Sequence, residues 1–184
     1  MVRSLSLHNQ MRVDRIDEVR LAAADEAQIT TLLTRAFGEE FGGNSFHQQR
    51  HHIRLVVRGP QIIGHVALTY RAIRVNEAMV NVMGLAEVAT DPDHRGCGIA
   101  SVLLQAAIAE AKRSPAAFLL LFGDAPLYAS AGFRPVRNKL RHVAMYQART
   151  LRTQTTRSDS LMVLPLGDQH WSDGADLDML GHLF

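Results

Sequence analysis

The stretch Ala86-Glu87-Val88-Ala89-Thr90-Asp91-Pro92-Asp93-His94-Arg95-Gly96-Cys97-Gly98-Ile99-Ala100-Ser101 joins three kinds of backbone in sixteen residues. An apolar run stops at Asp91-Pro92, a small glycine-bearing loop follows, and an amphipathic pattern opens at Ile99. The order is strand, loop, helix. Gly96 and Gly98 carry no side chains, so successive backbone N–H groups can converge on an anion, and the following helix points its positive end at the same place. A pyrophosphate suits such a loop.

Arg95, Gly98 and Ala100 fit R-x-x-G-x-A, and the strand exit Val88-Ala89-Thr90-Asp91-Pro92 precedes them. Downstream, Leu127-Tyr128-Ala129-Ser130-Ala131-Gly132-Phe133 places a Tyr four residues before Gly-Phe. Taken in this order, the two motifs resemble the acyl-CoA loop and second signature of the GCN5-related N-acetyltransferase (GNAT) family. The spacing between them leaves room for one helix and one strand, as a right-handed βαβ unit requires. The fold class expected from the resemblance is α/β, with a central mixed β-sheet flanked by helices.

Length and composition bound the rest. At 184 residues and 47% apolar content, the chain suits one domain with its own core, so residues 1–184 are read as a single domain. Net charge is only +2. Its distribution is uneven, because residues 134–157 hold Arg134, Arg137, Lys139, Arg141, Arg149, Arg152 and Arg157 and no acid. That segment reads as a solvated strand and loop face, with contact to the cofactor's phosphates as the alternative. No nucleic-acid motif or cluster of stacking aromatics accompanies it, so nucleic acid is not an expected partner.

The single cysteine excludes an internal disulfide and a cysteine-built metal site. His47 and His51 share i,i+4 spacing beside His52, but no carboxylate or cysteine adjoins them, and no metal is expected. The first twenty residues lack an apolar core of signal-peptide length, and no window is apolar enough to span a membrane. A cytoplasmic protein without a membrane partner is expected, and a homodimer is left open.

Along the chain, Asp25 is expected to cap a helix running to about Phe37, followed by an acidic, glycine-rich stretch from Gly38 to Asn44. That stretch reads either as a substrate loop or as a plain connector. Ile53–Val57 and Ile62–Tyr70 form a hairpin about Gly59-Pro60, and a strand from about Met79 to Thr90 leads into the glycine loop. The helix from Ile99 to Arg113 puts Ile99, Val102, Leu103, Ala106 and Ala107 on one stripe. Ala116–Phe122 is apolar throughout, as for a strand covered on both faces, and Leu161–Leu166 is a last strand candidate. The tail from Gly167, with Trp171 and an apolar end, is expected to pack.

Acyl transfer from a thioester to an amine needs a place for the acyl carrier, an acceptor for the amine's proton and a proton for the departing thiolate. The resemblance implies acetyl-CoA as cofactor, with the backbone of Val88, Ala89 and Thr90 pairing with the pantetheine arm like an added strand. Gly96, Cys97, Gly98, Ile99, Ala100 and Ser101 would surround the pyrophosphate; Arg95 either adds charge there or sits on the surface. Cys97 reads as loop filler. Tyr128 is the expected general acid, since a phenol of pKa about 10 is protonated at pH 7; the alternative is packing beside Phe133. Glu87 is the best-placed carboxylate for the base; the alternatives are that its side chain faces solvent or is simply paired. Many family members hold pantetheine with an Asn before the Tyr, and here that role is unfilled or passes to Asp124.

The Arg95-Gly96 loop, Leu127-Tyr128-Ala129-Ser130 before Gly132-Phe133, the short strand Val163-Leu164-Pro165-Leu166 and an acidic tail ending in an aromatic residue bear a fainter similarity to aminoglycoside 2'-N-acetyltransferases. That similarity implies that Glu39, Glu40, Asp173, Asp176, Asp178 and the carboxylate of Phe184 line an amine site. The glutamate of those enzymes falls near Ala86, one place from Glu87. The expected activity is therefore direct acetyl transfer in a ternary complex to a primary amine of a small, cationic molecule. The alternatives are acetylation of a protein N-terminus or lysine, and a non-catalytic acyl-CoA-binding module.

Overall fold

The strand that leads into the glycine loop is also the axis of the sheet. In the computed structural model, which describes residues 11–123 and 126–184, ten strands form one mixed sheet. They are β1 (Val13–Asp17), β2 (Ile53–Arg58), β3 (Ile62–Val75), β4 (Ala78–Thr90), β5 (Phe118–Phe122), β6 (Arg134–Pro135), β7 (Lys139–Tyr146), β8 (Arg149–Arg157), β9 (Leu161–Pro165) and β10 (Asp176–His182). The path β6-β9-β5-β4-β3-β10-β7-β8 carries most of them, and β1 and β2 extend from the first half of β3. This bears out the mixed sheet flanked by helices.

Helix α1 (Ala23–Phe37) buries Ile29, Leu32 and Leu33 against Val56, Ile62 and Ala89 on one face of the sheet. Its cap differs from the expectation: Ala22 occupies the N-cap without a side-chain bond, and Asp25 lies in the first turn, paired with Arg58 at 2.8 Å. Asp25 and Glu26 still favour that end through the helix dipole. On the opposite face α2 (Ile99–Lys112) buries Ile99, Leu103, Leu104, Ala107, Ile108 and Ala111, against Leu55, Val57, Val66, Leu68 and Leu85. Val102 and Ala106 of the expected stripe lie at its margin, half-buried. A third, short helix, α3 (Pro126–Ser130), follows β5.

The parallel pairing of β4 and β5 runs from Val82–Phe118 to Leu85–Leu121 and stops there. Beyond it β4 continues beside β3 to the Gly64–Thr90 pair. One edge of Val88, Ala89 and Thr90 is thus left outside the β4–β5 ladder. The tail packs as expected, but as a strand: β10 lies between β3, antiparallel, and β7, parallel. The basic segment is the hairpin β7–β8, and β8 is almost wholly exposed, matching the solvated face read from its composition. Among the described residues no helix is long and apolar enough to cross a membrane, and no group of histidine, cysteine and acidic residues is arranged to hold a metal.

Candidate active site

A β-bulge sets the site. Between the pairs Ala67–Ala86 and His65–Ala89, β3 contributes one residue and β4 two, Glu87 and Val88. The extra residue is accommodated by a left-handed Glu87 at φ 56°, an uncommon conformation for a residue with a side chain. Strict alternation would set Glu87 beside Leu85, on the face covered by α2. Instead Val88 packs on that core, Ala89 packs toward α1, and Glu87 joins polar groups of β2 and β3. Its side chain is 4% exposed, so it takes neither the α2-covered face nor the solvent-facing alternative.

Two hydrogen-bond donors and one imidazole reach the buried carboxylate. His47 N–H donates to Oε1 at 2.8 Å, Arg54 Nη1 donates to Oε2 at 3.1 Å, and His51 Nε2 stands 2.8 Å from Oε1. The last is an ion-pair contact with the ring nitrogen off the hydrogen-bond axis. Burial acts to raise the Glu87 pKa, but the His51 contact and the charges of His51, His65 and Arg54 outweigh it and hold the carboxyl below its usual range.

Arg54 is fully buried and was not legible as a site residue. Its guanidinium donates to Glu18 at 2.6 and 3.1 Å and to the Ser45 carbonyl at 2.7 Å, besides Glu87. His65, also fully buried, has Nδ1 3.0 Å from the Glu87 carbonyl and Nε2 3.2 Å from Arg54 Nη1. A carbonyl only accepts, so Nδ1 carries the proton and Nε2 accepts from the arginine. Burial and then the Arg54 charge push the His65 pKa down to about 4, so the ring is neutral at pH 7.

His47, His51 and Glu87 form one wall of a cleft of about 230 Å³, with Arg54 and His65 buried behind them. Glu40, Glu87, Tyr128 and Phe184 from the sequence reading meet there, with His47, Gln48, His51, Thr69 and His182, and the rings of Phe37, Phe41 and Phe122. The acidic stretch after α1 thus contributes to the cleft: Gly38–Phe41 forms a 3₁₀ turn, and Phe41 stacks on Phe37 with centroids 5.2 Å apart. Tyr128, on α3, also meets Phe133 edge-on at 6.2 Å, so cleft lining and packing coexist. Phe184 enters through its ring, which lies over Gly84 so closely that a Cβ there would stand 2.0 Å from Phe184 Cδ1. The Arg71 guanidinium covers that ring at 4.6 Å.

The remaining acids expected at the amine site lie elsewhere. Asp173 pairs with Arg134 at 2.8 Å and Asp178 with Arg141 at 3.0 Å. Asp176 and Asp178 border a separate groove with Arg74 and Lys139. The physical reason is how the tail packs on the basic segment: the pairing of β10 with β7 sets Asp178 beside Arg141, and Asp173, ahead of β10, meets Arg134. Glu39 is exposed and offers its backbone carbonyl to Gln147. Asp124 lies outside the described residues.

The loop at Arg95–Gly98 forms a second depression, bounded by Thr90, Arg95, Gly96, Gly98, Ile99, Ala100 and Ser101. Cys97 is exposed beside it. Gly98, at φ 83°, is the N-cap of α2, and the first intrahelical bond is Val102 N–H to the Gly98 carbonyl. The N–H groups of Ile99, Ala100 and Ser101 therefore precede the ladder, in the position that favours an anion. Thr90 Oγ1 is buried with no protein partner among the described residues. The entry is held from α1: Arg35 pairs with the buried Asp91 and, at 2.8 Å, with Asp93. Open strand edge, bare N–H groups, an exposed arginine and an orphaned hydroxyl are a donor set that fits a pantetheine–pyrophosphate chain.

No curated protein matches the chain in sequence. Solved structures do match in fold. A GNAT family acetyltransferase from Brucella melitensis, in complex with acetyl-CoA, superposes with a TM-score of 0.58 at 18% identity, over 91% of this chain and 96% of that one. The GNAT family N-acetyltransferase YhbS from Escherichia coli, in complex with CoA, gives 0.60 at 21% identity, over 91% and 89%. The E. coli ribosomal-protein-S18-alanine N-acetyltransferase gives 0.54 at 18%, over 86% and 97%. In sequence, the family model described as acetyltransferase (GNAT) domain matches residues 18–136, a span that includes the bulge, the glycine loop and Tyr128. The chain belongs to the GNAT acetyltransferase family, whose acetyl donor is acetyl-CoA.

Proposed function

We propose that the protein acetylates the primary amine of a compact small molecule, by direct transfer with both substrates bound. The observation that carries this reading is that one strand serves two depressions: Ala86, Glu87 and Val88 line the cleft, and Thr90 borders the glycine loop. Bound acetyl-CoA supplies a thioester carbonyl for the amine to attack and a thiolate to leave. Val88, Ala89 and Thr90 would hold the pantetheine arm along the open edge of β4, and residues 95–101 the pyrophosphate. Tyr128 Oη gives its phenolic proton to the departing sulfur. Glu87 supplies the negative charge that drives deprotonation of the amine. Cys97, the only cysteine, lies in the loop and not on the cleft wall, which supports direct transfer over a cysteine-borne acyl group.

The cleft also bears on the acceptor. Its volume lies below the roughly 300 Å³ at which pockets for drug-sized ligands begin. Four phenylalanine rings, with Leu121 and Leu183, contribute to its walls, and Gln48 Oε1 is buried without a hydrogen-bond partner among the described residues. These features suit an amine on a short apolar or aromatic body better than a polycationic sugar. The test is calorimetric titration with acetyl-CoA, then thiol release with 2-phenylethylamine, spermidine and kanamycin. Saturable binding and fastest release with phenylethylamine are expected, and Gly98→Asp should abolish binding. No acetyl-CoA binding by the wild type would overturn the reading, and a preference for kanamycin would restore the cationic-sugar acceptor.

A further inference from the structure

Glu87 is poorly disposed to take the amine's proton itself. Its two oxygens already face His47 N–H, Arg54 and His51, and almost none of the carboxylate is exposed. The next polar groups outward are arranged in series. His51 Nε2 lies 2.8 Å from Glu87 Oε1, and His51 Nδ1 lies 2.8 Å from Thr69 Oγ1. His51, Thr69 and Glu87 all line the cleft. They come from the lead into β2, from β3 and from the β4 bulge, so three separate backbone segments converge on one chain of contacts.

We propose that Thr69, His51 and Glu87 form a proton relay in which His51 is the base, Thr69 the group that meets the acceptor amine, and Glu87 the positioning carboxylate. The proposal rests on reading the cleft as the acceptor site. The carboxylate beside Nε2 keeps the ring proton on that nitrogen and leaves Nδ1 bare to accept from the Thr69 hydroxyl. In the step, Thr69 Oγ1 takes one proton from the amine nitrogen as its own proton passes to Nδ1. The amine loses one proton, His51 gains one, and the threonine is unchanged. The resulting imidazolium is stabilised by Glu87, which Arg54 and the His47 amide hold in place. This is the logic of a nucleophile, histidine and acid triad, used to deprotonate the incoming substrate and not an enzyme nucleophile.

Two measurements on the full chain test it. Long-range 15N NMR of the histidine rings should show His51 with its proton on Nε2, and Glu87→Gln should shift that signal; a proton on Nδ1 in the wild type would sink the relay whatever the substrate. Thiol release from acetyl-CoA is then compared for phenylethylamine, an ammonium ion at neutral pH, and hydroxylamine, which is already the free base. His51→Gln should lose about 100-fold in kcat/KM with phenylethylamine and under tenfold with hydroxylamine, with an unchanged Kd for acetyl-CoA. Thr69→Val should lose more than Thr69→Ser. Equal losses on both acceptors would make His51 merely structural and overturn the relay. A wild type that binds acetyl-CoA but acetylates neither acceptor overturns the small-amine reading instead, and the tautomer then decides the relay alone.

Discussion

Arg54 illustrates how much one side chain can carry in this molecule. A fully buried guanidinium reaches Glu18, Ser45, His65 and Glu87 at once, so its charge is matched on both sides. Burial acts to raise the Glu18 pKa, yet the Arg54 bonds and charge bring it below the ordinary value. Arg54→Met should therefore cost about 3–5 kcal/mol in urea unfolding, because two carboxylates would lose their buried partner. Arg54→Lys should recover little, since an ammonium has no planar fork to span those acceptors. A loss under about 1 kcal/mol for the methionine variant would show that water replaces the guanidinium at no cost. The sequence did not mark this residue, because an arginine in Ile53-Arg54-Leu55-Val56-Val57 looks like a solvent-facing charge in an alternating strand. Glu87 was legible as a candidate by its place before the loop, but its direction was not, since a bulge reverses side-chain parity without a glycine or proline to announce it.

Among elements, the loop between β4 and α2 depends on α1 as much as on its own glycines. Arg35, in the last turn of α1, ties Asp91 and Asp93 to the opposite layer. Asp91 also accepts Asp93 N–H and so caps the turn that leads to Gly96. Arg35→Ala leaves the Asp91 carboxylate short of one donor, a loss that falls on loop order more than on global stability. The Kd for acetyl-CoA should rise about tenfold or more, while the unfolding midpoint in urea moves little. An unaltered Kd would show the loop to be held by its turn and glycines alone. The strand, loop and helix were legible because each has a local signature: apolar run, Pro and Gly punctuation, 3.6-residue stripe. Strand β8, Arg149–Arg157, has none, since its side chains face water and its sheet partner is chosen by tertiary pairing. Likewise Asp173 and Asp178 of the tail were assigned to a substrate when their partners are Arg134 and Arg141 of the basic segment.

The whole molecule should be sensitive to acid well above the pH at which its carboxylates protonate. Burial, followed by the Arg54 charge, lowers His65 to about 4; burial, followed by the Arg71 charge, lowers His182 to the same region. Between about pH 6.5 and 4 the unfolded chain binds protons that the folded one refuses, so stability is full above 6.5 and falls as the pH drops. His65 alone accounts for about 3 kcal/mol of that loss once the pH is below 4. Glu18, Glu87 and Asp91, each held below its ordinary pKa, add to the fall as the pH passes below about 4.5. Urea midpoints measured across pH 4 to 7 should decline steadily toward acid, and His65→Gln should flatten the upper part of that slope. A flat profile in the wild type would mean that His65 is not confined as the structure has it.

Strand β10 comes last among the described strands yet lies inside the sheet, and among the described residues the β7–β8 hairpin joins the other strands of the sheet through it. Assembly therefore cannot follow the order of synthesis. Residues 139–157 leave the ribosome before the strand that will anchor them, and must wait as an undocked, strongly basic ribbon until residues 176–182 arrive and slide into the gap. The same late event delivers the Phe184 ring to Gly84, so the cleft acquires its floor only when the sheet closes.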